Sequence, residues 1–544
     1  MLQLRISVLA VLCGWVVTVS ADEPRLRDRI DESVASAWQR EKLTPAAPAS
    51  DAEFLRRVSL DLVGTIPTHD EAVAFLDDVS PGKRDALIER LLADPRRAQH
   101  QADLWDLILF GRNPPGYDTD KRDGFQTWLR EQFANNVPYD VLARTILKAE
   151  GNSAEQGAPL FFVQYRNQPE DCNEAITQTF LGIQLQCARC HDHPFEPWTQ
   201  LDFFGMAAFL ARLEVVQVGK KDELTMWAIG EKSTGDVLFT GPAAKQTPGK
   251  KGEPVKPKFL HGEPLVEPPL PEGFKEVKFE SNKPPPAPQF SRKDQLAEWI
   301  TKSDNPYFAR AITNRIWSQF FGRGLVHPVD NMSPSKVPTH PELLDEMTKQ
   351  LIAHQFDLRW LTRELVSSRA YQLSSNGSTG EPLPNWFEHA RSRPLSAEEL
   401  VASWRVATGF DVVEAAKEKP DDKKPNSRSR FKPLQWEYVI RFFGQPNNGT
   451  GDFQGGLQEH LYLNNGQLGS LLVTGPGSLL DAISKSEASP EERIDRLFLS
   501  LLTRRATDAE KQRFAEYLAS DKNADRLRDA IWVLMTCGEF RFNH

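Results

Sequence analysis

Helix-start signals recur along this chain, and they restrict its fold more than any other feature. Thr68-His-Asp-Glu71 sets a hydroxyl three residues ahead of a carboxylate. The hydroxyl accepts one backbone N–H of a helix's first turn and the carboxylate reaches back to another. Five further starts stand in the second half, at Ser291, Thr339 with Glu342, Ser396 with Glu399, Ser489-Pro490 with Glu492, and Thr507 with Glu510. Apolar residues recur at helical spacing behind such starts. Phe54, Leu55, Val58 and Leu62 share one face of Asp51 to Val63, and the same period runs through Trp105 to Phe110 and Phe125 to Phe133. Ser80-Pro81 is expected to open another helix, because proline suits the first helical position. The fold class expected is mainly α.

A chain of 544 residues exceeds one core, and length alone suggests about two to four structural units. Residues 22–212 read as consecutive helices. Across residues 213–290 the pattern changes: short β-like runs, Glu214 to Val218 and Val237 to Thr240, alternate with Lys, Gly and Pro. This stretch ends in Lys283-Pro-Pro-Pro-Ala-Pro288, a stiff extended linker. It is expected to be a small β-containing insertion and Pro/Lys-rich linker between two helical domains, the second spanning residues 291–544. Within Gly249 to Pro257 a loop without regular structure is an equal expectation. Two stretches interrupt the second domain, a charged one from Glu414 to Ser429 and a Gly/Asn-rich one from Gln445 to Gly456. No fixed-period repeat is present.

Residues 1–21 have the layout of a signal peptide: Arg5, then an apolar stretch from Ile6 to Val19, then the small residues of Val19-Ser20-Ala21. Export to the periplasm or beyond is expected, with no transmembrane anchor once the leader is cleaved. Cys13 follows Leu12 rather than a small residue, which argues against a lipid anchor. The formal net charge of −9 supplies no basic footprint for nucleic acid. Cleavage would leave four of the five cysteines: Cys172, Cys187, Cys190 and Cys537. That is too sparse for a disulfide framework and points to local chemistry.

The chemistry concentrates in Cys187-Ala-Arg-Cys190-His191. Cys-x-x-Cys-His is the attachment signature of c-type haem. Two thiols add across the porphyrin vinyl groups, and the adjacent imidazole becomes the axial iron ligand. With 5 Cys and 11 His in the chain, chance gives about 0.001 matches. Other readings stay open. Two Cys and two His within seven residues, His191 and His193 included, offer ligands to a non-haem metal, although so tight a set strains a tetrahedron. Cys187 and Cys190 could instead pair as a redox disulfide, or the segment could be a structural turn.

If haem binds, His191 is the proximal ligand and His193 lies too near in sequence to reach the other face. Met206, His327, His340 and His460 are then candidates for the distal position, and Phe195, Trp198, Phe203 and Phe204 for ring-walling side chains. Each aromatic taken alone fits ordinary packing better. Asp171, Glu174, Asp192, Glu196 and Asp202 surround the motif and could serve acid–base chemistry, though a solvated face accounts for them more simply. His327, His340 and His354 fall within one short span that helix surfaces and caps explain equally well.

The run Phe180-Leu-Gly-Ile-Gln-Leu-Gln-Cys187-Ala-Arg-Cys190-His191-Asp-His193-Pro-Phe195, followed by Trp198-Thr-Gln-Leu-Asp202-Phe-Phe-Gly205, resembles the planctomycete cytochrome-associated family of secreted proteins. Phe54-Leu-Arg-Arg-Val-Ser-Leu-Asp-Leu-Val-Gly-Thr-Ile-Pro67 is similar to that family's opening motif. In the second half, Asn305 to Trp317, Phe320 to Val326, Thr339 to Leu344, Ser367 to Tyr371 and Glu539 to His544 resemble its usual C-terminal companion domain. Both domain families are of unknown function. Many members look as though they carry a separate cytochrome c domain ahead of the first half, and no such domain is expected here. The resemblance therefore implies a secreted, cytochrome-associated protein and leaves the cofactor open between haem c, another metal and none. The functions expected are electron transfer or redox chemistry with an unidentified redox partner, or a non-haem enzyme or binding protein acting on an extracellular polymer.

Overall fold

In the computed structural model, the structure describes residues 25–111, 122–153, 155–166, 168–221, 224–241, 252–280, 286–377, 385–417, 472–519 and 524–544. The signal peptide, the Gln445 to Gly456 stretch, His460, most of the Glu414 to Ser429 stretch and half of the proline run fall outside them. The chain is mainly helical with small sheets, as expected.

Most start signals act as read. Asp51–Val63 is a helix with the expected bounds, capped by Ser50, and His69–Asp77 opens on the complete Thr68/Glu71 box. Ser291 caps Arg292–Thr301, and full boxes open Ala397–Thr408 at Ser396 and Pro490–Leu502 at Ser489. Thr507 and Glu510 exchange the same reciprocal bonds ahead of Asp508–Ala519. Two starts differ. The helix after Ser80 begins at Lys83, with Gly82 in the cap position, because Pro81 and Gly82 form a turn first. Thr339 caps nothing: Pro341–Ala353 follows His340, and the Thr339 hydroxyl lies against the Leu325 carbonyl and His340 Nδ1 instead.

Among the described residues, the insertion contains the two expected strands and two more. Leu213–Lys221 pairs antiparallel with Leu224–Glu231, with a bulge between Gln217 and Gly219. Leu224–Glu231 also pairs with Gly151–Asn152, so a two-residue strand from the helical region completes a three-stranded sheet. Leu238–Phe239 pairs with Glu253–Pro254 in a second small sheet.

Burial divides the molecule differently from the sequence. One apolar core takes side chains from Leu26 through Ile229 together with Leu296, Ile300, Phe308, Ile312, Trp317, Leu344, Leu361 and Phe387. A second core holds Leu400, Trp404, Leu480, Leu497, Ile531 and Phe540, together with Leu60 and Ile66 from the other end of the chain. The helix Asp51–Val63 joins the two. Arg56 donates to the carbonyls of Leu501 and Phe540, and Arg57 to those of Tyr371, Leu373 and His544. Asp61 accepts from the Tyr371 hydroxyl, Arg391, Arg393 and Asn543. Three buried ionic side chains thus direct most of their bonds to the far half of the chain, with Arg57 also paired to Glu53 of its own helix at 2.6 Å, which is how buried charges are tolerated.

Among the described residues, no helix is long and apolar enough to cross a membrane.

Candidate functional site

The approach to the motif is set by one glycine. Pro169–Ile176 runs into a π turn, Thr177–Leu181, which ends at Gly182 with φ 66°. A Cβ built there would stand 3.2 Å from Met332 Cγ and 3.3 Å from Ala311 Cβ, and the Gly182 carbonyl accepts the Met332 N–H at 2.7 Å. Only glycine combines that conformation with that contact. The chain then turns through buried Ile183 and Leu185 into a single 3₁₀ turn, Gln186–Arg189.

That turn sorts the motif's side chains. Positions three apart eclipse in a 3₁₀ turn. Leu185 and Ala188 face the core, while Cys187 and Cys190 share the exposed side. The amides of Cys190 and His191 both reach the Cys187 carbonyl at 3.4 Å. Cys187 and Cys190 are free thiols, as are buried Cys172 and half-buried Cys537. Arg189, between the cysteines, pairs with Asp171 at 2.6 Å and Glu174 at 3.2 Å, fastening the turn to Pro169–Ile176. Burial nonetheless pushes the Glu174 carboxyl up from its ordinary value.

The two histidines differ in tautomer. His191 Nδ1 lies 2.8 Å from the Asp192 carbonyl, which can only accept, so Nδ1 carries a proton and, in the neutral ring, Nε2 keeps its lone pair. His193 Nδ1 accepts the amides of Phe195 at 3.3 Å and Glu196 at 3.0 Å, so its proton sits on Nε2. A neutral His191 therefore offers a ring nitrogen to a metal, and a neutral His193 offers none. Among the described residues, no group of three or more His, Cys, Asp or Glu side chains converges as a metal site. The tight Cys/His set of the non-haem reading is thus not gathered on one point.

The surrounding carboxylates have structural work. Asp192 accepts the Gln200 amide at 2.9 Å, and Asp202 completes the Thr199 capping box and binds Lys258 at 3.1 Å. Glu196 takes the hydroxyls of Ser333 and Ser335, tying the loop to the segment after Met332. Sequence reading missed Gly182, the Arg189 clamp and the two serines. The acidic pair three residues apart at Asp171 and Glu174 was the only visible hint of the clamp.

Of the aromatic candidates, Phe195 is 84% exposed beside the motif. Trp198 and Phe203 are buried, Trp198 against His261 with centroids 4.9 Å apart, and Phe204 stacks on Phe239 at 4.8 Å. The distal candidates are dispersed. Met206 is in the core, His327 precedes a cis proline, and His340 is enclosed by Trp386 and Phe387. Among the described residues, neither His327 nor His340 joins His191 in a group of three or more metal-ligating side chains. What the residues present do fit is the proximal half of a c-type haem site: two thiols on one exposed face, and an adjacent imidazole whose Nε2 is free and whose Nδ1 is held by a carbonyl.

Neither the curated proteins nor the solved structures contain a match to this chain. Two family models match it in part and in the order expected: PSCyt2, a protein of unknown function (DUF1549), over residues 29–215, and PSD1, a protein of unknown function (DUF1553), over residues 292–450.

Proposed function

We propose that this chain is an extracytoplasmic redox protein that carries a c-type haem covalently at Cys187 and Cys190, with His191 as the iron ligand. The observation that carries the proposal is two free, exposed thiols, Cys187 within the 3₁₀ turn and Cys190 capping its end, beside an imidazole whose Nε2, in the neutral ring, is unused. Attachment adds each S–H across one vinyl C=C, with no leaving group and no net oxidant. When bound, the haem supplies a one-electron couple at its iron. The protein's own contribution is positional. The Asp192 carbonyl fixes the His191 tautomer and ring direction, as backbone acceptors do for metal-ligating imidazoles. Arg189, held by Asp171 and Glu174, keeps the turn from rotating.

The test is an alkaline pyridine absorption spectrum of the chain exported from a host competent in c-type haem maturation, beside a Cys187→Ala/Cys190→Ala double variant. The expected result is a reduced α-band that stays with the denatured polypeptide and vanishes in the variant. A colourless chain from a host that matures a control cytochrome would reject covalent haem and leave the motif a structural turn.

A further inference from the structure

The thiols and imidazole of the motif belong to the first half of the chain, yet a segment of the second half is fastened to the backbone on either side of them. Three ties join residues 330–335 to the stretch that brackets Cys187 and His191. Arg315, on the helix Phe308–Phe321, donates to the Thr179 carbonyl at 3.3 Å and pairs with Asp330, both members of that pair being buried. Two residues on, the Met332 amide donates to the Gly182 carbonyl at 2.7 Å. The hydroxyls of Ser333 and Ser335, 3.0 Å apart, both donate to Glu196 Oε1. Thr179 and Gly182 precede the motif and Glu196 follows it, so the ties flank the Cys187 turn.

The shape of the segment follows from its residues. Ser333-Pro-Ser-Lys336 closes a turn in which the Lys336 amide reaches the Ser333 carbonyl at 2.9 Å, and proline suits the second place of such a turn. That turn aims two hydroxyls at one carboxylate oxygen. The loop that receives them is exposed at Asp192, Pro194, Phe195, Pro197 and Thr199. It is closed by short-range bonds: the His193 amide to the Trp198 carbonyl, the Phe195 and Glu196 amides to the His193 ring, and the Gln200 amide to Asp192. An exposed loop closed in this way opens at small cost. Hydrogen bonds to an ionised carboxylate are among the stronger ones that can oppose the opening.

We infer that Ser333 and Ser335 are positioning residues for the Cys187–His191 site, and that residues 330–335 form a splint by which the second half completes a site whose thiols and imidazole lie in the first. The serines act through Glu196, whose amide donates to His193 Nδ1 at 3.0 Å, two residues from His191. The splint is independent of any cofactor. Its effect at the iron rests on the haem proposal above: a loop held beside the turn limits solvent there, and solvent exposure is one of the factors that set a haem potential.

Hydrogen exchange of the full chain prepared without haem, read by mass spectrometry, tests the splint alone. In Ser333→Ala/Ser335→Ala, peptides covering residues 191–200 should exchange about tenfold faster or more, with those of Asp51–Val63 unchanged. Glu196→Ala should do the same, and the triple variant no more than either, because all of them remove the same bonds. Glu196→Gln, which keeps an accepting oxygen without the charge, should fall between wild type and Glu196→Ala. Unchanged exchange over residues 191–200 in the serine variant, or a triple variant in which the two effects multiply, overturns the splint. In chains exported from a host that matures c-type haem, the serine variant removes no charge. It should keep the wild-type pyridine α-band of the denatured chain and show a lower midpoint potential when folded. An equal potential overturns the positioning role at the iron. A colourless wild type rejects the haem reading instead, and the exchange result decides the splint without it.

Discussion

His340 is enclosed by Trp386 and Phe387, and its Nε2 is buried without a partner. Burial, followed by the nearby Arg40 charge, holds its imidazole down to about 4. Unfolding returns the ring to roughly 6.5. Between those values the unfolded chain binds the extra proton and the folded one does not. The stability at stake is thus fully present above about pH 6.5 and is lost as pH falls toward 4. From pH 7 to pH 5 the loss should be about 2 kcal/mol. His100 and His544, also lowered by burial, act in the same direction, so total slope alone does not isolate His340. Urea midpoints of wild type and His340→Asn measured across that range do so. The variant's stability should fall less steeply by about that amount, and parallel curves would show that His340 does not stay neutral in the folded chain.

At the scale of the element, one helix start combines capping with buried ion pairing. Glu399 completes the Ser396 box and also takes Arg393 through both oxygens, at 2.5 and 2.6 Å. Burial alone would raise its carboxyl, but Arg393 brings it down to about 2. Ser396→Ala removes only the cap and should cost about 1 kcal/mol. Glu399→Ala also strands Arg393 on a weaker contact to Asp61 and should cost about 3–5 kcal/mol. Denaturant unfolding that found the two costs equal would show that the buried pair adds nothing. The same elements show what sequence discloses. Ser396, Ser489 and Thr507 were legible because a cap and its partner lie three residues apart, and Ser291 as a capping hydroxyl alone. Thr339 misled because its spacing is that of a cap while Pro341 moves the helix start beyond it. The Gly151–Asn152 strand, two residues long, gave no pattern at all and exists only because Leu224–Glu231 supplies its partner. At the site, the Cys187-x-x-Cys190-His191 spacing stood out by its rarity. The two histidine tautomers depend on local loop bonds and leave no trace in residue spacing.

Over the whole molecule, the boundary near residue 290 divides the sequence more than it divides the structure. Buried Glu231, at the end of the insertion's second strand, accepts the Ser291 hydroxyl and the amides of Arg292 and Lys293. Lys293 donates to the carbonyls of Lys148 and Ala149, and Arg292 to those of Ala208 and Gly235. Leu296, Ile300, Phe308, Ile312, Trp317 and Leu361 are each 1% exposed or less within the core built on the first half. At about 1.5–3 kcal/mol per large apolar side chain, those six contribute roughly 10 kcal/mol or more. That is comparable to the whole net stability of a typical domain, about 5–15 kcal/mol. A fragment of residues 22–290 should therefore lack fixed tertiary packing, with weak near-UV circular dichroism and strong binding of an apolar dye. Co-expression with residues 291–544 should restore both signals toward those of the intact chain. If residues 22–290 alone gave a native near-UV spectrum and a cooperative melt, the insertion would mark a true folding boundary. The buried contacts across it would then be an interface between two finished domains rather than a shared core.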